Sequence, residues 1–140
     1  MKKFIFTLLL FSLLLCSCNI SSPKEYSGEM DAISSHSMTF GNDAHIMDIY
    51  VVANAKVTDY EACAKEIIQH CIANDFHTIH FSYDYNGYPS ELNATIYETE
   101  KDFDDGNFLF KMSYTQDSNT FEYNIADHPE HFLLTLEIND

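Results

Sequence analysis

An α+β fold is the class this sequence predicts, and three observations predict it. Tyr60 to Cys71 repeats its apolar residues at the helical period, several other stretches alternate apolar and polar residues at the strand period, and strand signals precede as well as follow the helix. The expected architecture is one helix packed on one face of a mainly antiparallel, four- to six-stranded meander sheet. One helix cannot cover both faces, so the other face should be wet.

The elements follow in order. Met30 to Phe40 alternates weakly through Met30, Ala32, His36, Met38 and Phe40 and reads as a first strand reaching a turn at Gly41-Asn42. His45 to Ala53 is a second, with Met47, Ile49 and Val51 on one face and Asp48 and Tyr50 on the other. Thr58 with Glu61 three residues later forms a capping-box pattern that opens the helix. Tyr60, Cys63, Ala64, Ile67, Ile68 and Cys71 then make one apolar stripe, and Asn74 suits a left-handed cap at its end.

The period next changes to two. His77, Ile79, Phe81, Tyr83 and Tyr85 read as a strand, and Asn86-Gly87 as the hairpin turn that returns it through Leu92, Ala94 and Ile96. Lys101 to Asn107 reads as a polar loop. Phe108, Phe110, Met112 and Tyr114 form the next alternating set, Phe121, Tyr123 and Ile125 another, and Phe132, Leu134, Leu136 and Ile138 the last. The outward phases (His80, Ser82, Asn93, Thr95, Lys111, Ser113, Glu122, Asn124, Thr135) are polar, as a wet face requires. This order is similar to cystatin-type and other α+β rolls, an analogy of topology that carries no function.

Composition narrows the partners. The 140 residues carry 22 Asp and Glu against 7 Lys and no Arg, a formal charge of −15. Phosphate neutralisation needs clustered cations, so nucleic acid is not an expected partner.

The N-terminus explains where the chain goes. Lys2 and Lys3 precede an apolar run from Phe4 to Leu15, the charged and hydrophobic regions of an export signal. A dozen residues of helix reach about 18 Å, short of the roughly 30 Å hydrocarbon core. Leu15-Cys16-Ser17-Cys18 resembles the lipobox of bacterial lipoproteins. The resemblance covers about the first 20 residues and implies cleavage after Ser17, lipid attachment to Cys18, and a membrane contact made through that lipid on the cell membrane or outer membrane, on the extracytoplasmic side. A thioether-linked diacylglycerol has the two chains that stable anchoring takes. The expected organisation is therefore residues 1–17 as signal, 18–29 as lipidated cysteine and flexible spacer, and 30–140 as one domain. Without the signal the chain has 22 acidic residues against 5 Lys, a formal −17.

Few residues offer chemistry. Cys63 and Cys71 lie eight residues apart on the predicted helix, about 12 Å, beyond the reach of a disulfide. No Gly-x-Ser-x-Gly elbow or Gly-rich phosphate loop is present. Asp102 to Asn107 looks like a calcium loop, but its glycine is misplaced and its twelfth position is Ser113. Asp127, His128, Glu130 and His131 are the one cluster with zinc-type donors, although Pro129 breaks any helix that would present both histidines together. Tyr50, Tyr88 and Tyr97 fall at turns or on outward phases and are the candidate partner contacts. No catalytic residue and no cofactor is expected.

The leading expectation is thus a lipid-anchored extracytoplasmic module, non-catalytic, that contacts a protein or a small ligand. Two alternatives stand beside it. One is an acidic inhibitor or immunity-type protein against a basic partner. The other is a metal-binding or metal-assisted hydrolytic protein using His128 and His131.

Overall fold

In the computed structural model, which describes residues 29–41, 44–118 and 120–139, five strands lie in chain order in one sheet. They are β1 (Asp31–Phe40), β2 (Ala44–Val52), β3 (Glu91–Tyr97), β4 (Phe110–Gln116) and β5 (Phe132–Ile138). Neighbours are antiparallel except β2 and β3, which run parallel. The helices are α1 (Tyr60–Ala73), α2 (Tyr83–Asn86) and α3 (Glu100–Asp105), and a 3-10 turn at Pro129–His131 leads into β5. The fold is α+β. The predicted signal, Cys18 and the spacer as far as Gly28 lie outside the described residues. No helix among the described residues is long and apolar enough to cross a membrane.

Strand alternation builds the core. Met47, Ile49 and Val51 of β2, Leu92, Ala94 and Ile96 of β3, and Phe110 and Met112 of β4 are all buried, and meet Cys63, Ala64, Ile67, Ile68 and Cys71 of α1 in one cluster. Each strand shows its alternate residues to the core because its side-chain period is two, while the stripe on α1 follows the helical period. Asp59, not Thr58, caps α1: its carboxylate accepts from the Ala62 N–H at 2.9 Å. Asn74 ends the helix in the left-handed conformation, at φ 55°.

The structure corrects the reading of residues 77–87, where no strand forms. Asn74 holds Phe81 by both backbone groups, donating to its carbonyl at 2.9 Å and accepting from its N–H at 2.7 Å. Those groups are satisfied by a side chain instead of a ladder. The alternating aromatics pack on one another, Phe76 to Phe81, Phe81 to Tyr83 and Tyr83 to Tyr88. Asn86-Gly87 closes α2 and turns no hairpin, so the step from β2 to β3 is a parallel crossover through α1, as parallel neighbours require. His80 and Ser82 accordingly lie off the sheet.

Two further segments differ. Lys101 to Asp105 belongs to α3, where Thr99 and Asp102 form a reciprocal capping box and Lys101 pairs with Asp105. Carboxylates that resembled a calcium loop are thus engaged in a cap and an ion pair. Phe121, Tyr123 and Ile125 form no strand, because β5 already occupies the free edge of β4 and the loop is bound by side chains.

The open face carries Asp48, Asn93, Thr95, Lys111 and Ser113, partly exposed. Asn93 donates to Asp48 at 3.0 Å and to Glu91 at 2.9 Å. At one end Phe103 of α3 covers the face, its ring edge against Tyr97 and Tyr50.

Candidate functional site

At the end of the sheet where β2 begins and β4 ends, three segments enclose a cleft of about 770 Å³. One wall is Phe40 and Gly41 with the start of β2, the second is the stretch after α2 with Tyr88, and the third is the loop from Thr120 to Asn124. This volume is within the range of small-molecule sites. Phe40 is 56% exposed and Phe121 38% exposed, so two phenyl rings stand partly in solvent around it. Glu122 is its only carboxylate among the described residues.

Ser90 and Gln116 hold the walls together. The Ser90 N–H and hydroxyl both donate to the His45 carbonyl, at 2.8 and 3.1 Å, and its hydroxyl oxygen accepts from the His45 N–H at 2.9 Å. Gln116 is 4% exposed and extends the inward row of β4. Its amide donates to the carbonyls of Ser90 (3.2 Å) and Tyr123 (2.9 Å), and its oxygen accepts from the Tyr123 N–H (3.2 Å) and the Thr120 hydroxyl (3.2 Å). Backbone partners on both sides fix which end of the amide is which. The third wall is therefore tied to β4 and to the second wall by one side chain.

His45 is 7% exposed and borders both this cleft and a smaller cavity of about 270 Å³ between β1 and the α2 region. Its Nε2 lies 2.6 Å from the Ser37 hydroxyl, while its buried Nδ1 has no hydrogen-bond partner among the described residues. With Nε2–H donating to Ser37, Nδ1 keeps a bare lone pair; the reverse arrangement would orphan a buried N–H, which is rarer and costlier. The Ser37 contact has the distance of a nucleophile and its base. Among the described residues no group bonds to Nδ1, so the Ser37 contact is what orients the ring.

The residues predicted from sequence are scattered. Tyr88 lines the cleft, half-buried with its ring 4.4 Å from that of Tyr83. Tyr50 lies on the open sheet face, 38% exposed. Tyr97 is buried under Phe103 and offers no contact surface, and that burial, followed by the nearby Tyr50, pushes its phenol up.

His128 and His131 both face Glu130, at 3.4 and 3.8 Å, while Asp127 accepts from Asn124 at 2.8 Å. Tyr123 stacks flat on His131 at 4.2 Å. The Glu130 carboxyl is held below its ordinary range by its own backbone N–H and then by His128. No group of three or more metal-type ligands comes together among the described residues. Cys63 and Cys71 are buried free thiols; burial raises Cys63 to about 11 and Cys71 further.

Sequence reasoning missed His45, Ser90 and Gln116. His45 and Gln116 each continue an inward strand phase with a polar residue, a signal that was there to be read. Ser90 gave none. Comparison with protein-family models, with curated proteins and with solved structures finds no match.

Proposed function

We propose that this chain is a lipid-anchored extracytoplasmic binding module, without catalytic activity, that holds the uncharged, aromatic or apolar part of a ligand in the cleft between Phe40, Tyr88 and Phe121. The observation that carries the reading is the cleft itself, about 770 Å³, with Phe40, Tyr88 and Phe121 around it and Glu122 its one carboxylate among the described residues. A carboxylate-rich surface repels anions and attracts cations at long range, whereas the exposed phenyl rings of Phe40 and Phe121, on a cleft otherwise lined mainly by polar surface, gain by burying apolar area. Anchoring rests on the lipobox-like Leu15-Cys16-Ser17-Cys18, which would keep the module at a membrane surface.

Thermal shift with neutral aromatic probes, indole and p-cresol, against benzoate tests the cleft. A saturable rise in midpoint with the neutral probes, absent for benzoate and lost in Phe121→Ala, is the expected result. Equal response to benzoate, or full response in Phe121→Ala, refutes the assignment. Detergent-phase partition of the wild type and of Cys18→Ala tests the anchor separately: the variant should move to the aqueous phase.

A second reading, an inhibitor-type protein for a cationic partner, is favoured by uncompensated charge. Lys65, Lys101 and Lys111 each already face a carboxylate, and the formal charge of −15 leaves the acidic residues far in excess of the lysines.

A further inference from the structure

We propose that the outer edge of β5 receives an extended segment of a cationic protein as a sixth strand. The observation is an unguarded edge. Among the described residues β5 pairs with β4 alone and ends the sheet. Five of its seven residues are Phe, Leu or Ile; it has no Pro, no Lys and no register break, and Leu133 and Ile138 are 59% and 50% exposed. Edge strands normally carry such guards, because unpaired backbone groups invite another strand. The opposite edge, β1, does carry them: its register breaks between Ala32 and Ser34, and Ser34, Ser35, His36, Ser37 and Thr39 make it polar.

The hydrogen-bond phase of β5 shows which groups are open. Asp117 N–H donates to the His131 carbonyl and Asn139 N–H to the Leu109 carbonyl, each at 3.0 Å. Both pairs continue the register in which Leu133, Thr135 and Glu137 face Thr115, Ser113 and Lys111. The odd-numbered residues of β5 therefore bond to β4, and the N–H and C=O groups of Leu134, Leu136 and Ile138 point outward. Phe132 is the exception, its N–H being taken by the Pro129 carbonyl.

Charge selects the occupant. A second copy would bring two chains of −15 together, whereas a strand alternating apolar residues with Lys or Arg matches both faces of the edge. Its apolar side chains would continue the half-buried row of Leu134 and Leu136, and its cations would lie on the open face beside Glu137, which is 72% exposed and 3.9 Å from Lys111 of β4. Main-chain hydrogen bonds then supply affinity and the alternating side chains supply selectivity. This proposal is independent of the cleft.

The test uses the full chain in detergent micelles with the peptide acetyl-Lys-Val-Lys-Val-Lys-Val-Lys-amide and its twin with Glu in place of Lys. Hydrogen exchange should slow by about tenfold or more in 134–138 with the Lys peptide only. Leu136→Pro removes one outward N–H and leaves the ladder to β4 intact, and should weaken binding by about tenfold or more. Should that variant fail to fold, Glu137→Lys at an exposed site should weaken binding similarly. Three results would overturn the proposal: protection by the Glu peptide as well, protection on β1 in place of β5, or 134–138 already protected in a self-associated chain without peptide.

Discussion

Replacing Gln116 by Met keeps the length of the side chain and removes its amide, so the change isolates four hydrogen bonds. The Ser90 carbonyl accepts from Gln116 Nε2 at 3.2 Å, and Ser90 is 3% exposed, so water cannot take over. A buried carbonyl left unsatisfied costs about 1–3 kcal/mol. The Tyr123 N–H and carbonyl also lose partners, but Tyr123 is half-buried and solvent recovers part of that loss. Adding about 0.5 kcal/mol for each of these two gives a destabilisation of about 2–4 kcal/mol. The Thr120 hydroxyl is exposed and adds little. Urea unfolding followed by circular dichroism measures the loss, and an unchanged urea dependence confirms that the folded state is retained. Hydrogen exchange should quicken first in 120–125, the wall that the amide ties down. A loss below about 0.5 kcal/mol, the range of an ordinary surface substitution, would refute the argument that this side chain assembles the cleft.

Two other expectations use the same equilibrium measurement. Asp59→Ala removes the carboxylate that accepts from Ala62 and should cost about 1 kcal/mol, whereas Thr58→Ala should be nearly neutral; the reverse ranking would restore Thr58 as the cap. The thiols Cys63 and Cys71 should resist iodoacetamide at pH 8 in the folded chain and react on unfolding, since burial keeps both protonated. Their raised folded values also set a sign: the unfolded chain releases these protons first, so the contribution is intact below pH 9 and declines between 9 and about 11 for Cys63, and further for Cys71. Cys63→Ala should lessen that alkaline decline in the urea midpoint, and an unchanged decline would contradict it.

Local pattern was enough for the elements whose neighbours are decided by burial alone. The apolar stripe from Tyr60 to Cys71 and the inward rows through Met47, Leu92, Phe110 and Phe132 became α1, β2, β3, β4 and β5. Where a side chain competes for the backbone, pattern misleads. Phe81 alternates correctly for a strand, yet Asn74 takes both of its backbone groups, and the same happens to Tyr123 under Gln116. Asn86-Gly87 is a strong hairpin signal only if the following strand pairs backwards, and pairing direction is decided by the helix crossing between β2 and β3. The site was harder still. His45 and Ser90 are 45 residues apart and Gln116 is 26 from Ser90, so their hydrogen bonds exist only after the sheet has formed. A histidine in phase with Met47, Ile49 and Val51 was the visible trace of this arrangement. Tyr97 shows the complementary case: its outward phase faces Phe103 of α3, in a segment whose sequence reads as a polar loop.

The central claim is that the cleft at one end of the sheet, between Phe40, Tyr88 and Phe121, binds a neutral aromatic or apolar group. The most direct measurement is a nitrogen–proton correlation NMR screen of matched neutral, cationic and anionic aromatic fragments against the isotopically labelled chain. The account predicts saturable shifts from neutral fragments at Gly41, Gly87, Ser90 and Thr120, removed in Phe40→Ala/Phe121→Ala. Shifts scattered over the surface, or anionic fragments acting at the same residues with equal strength, would contradict it.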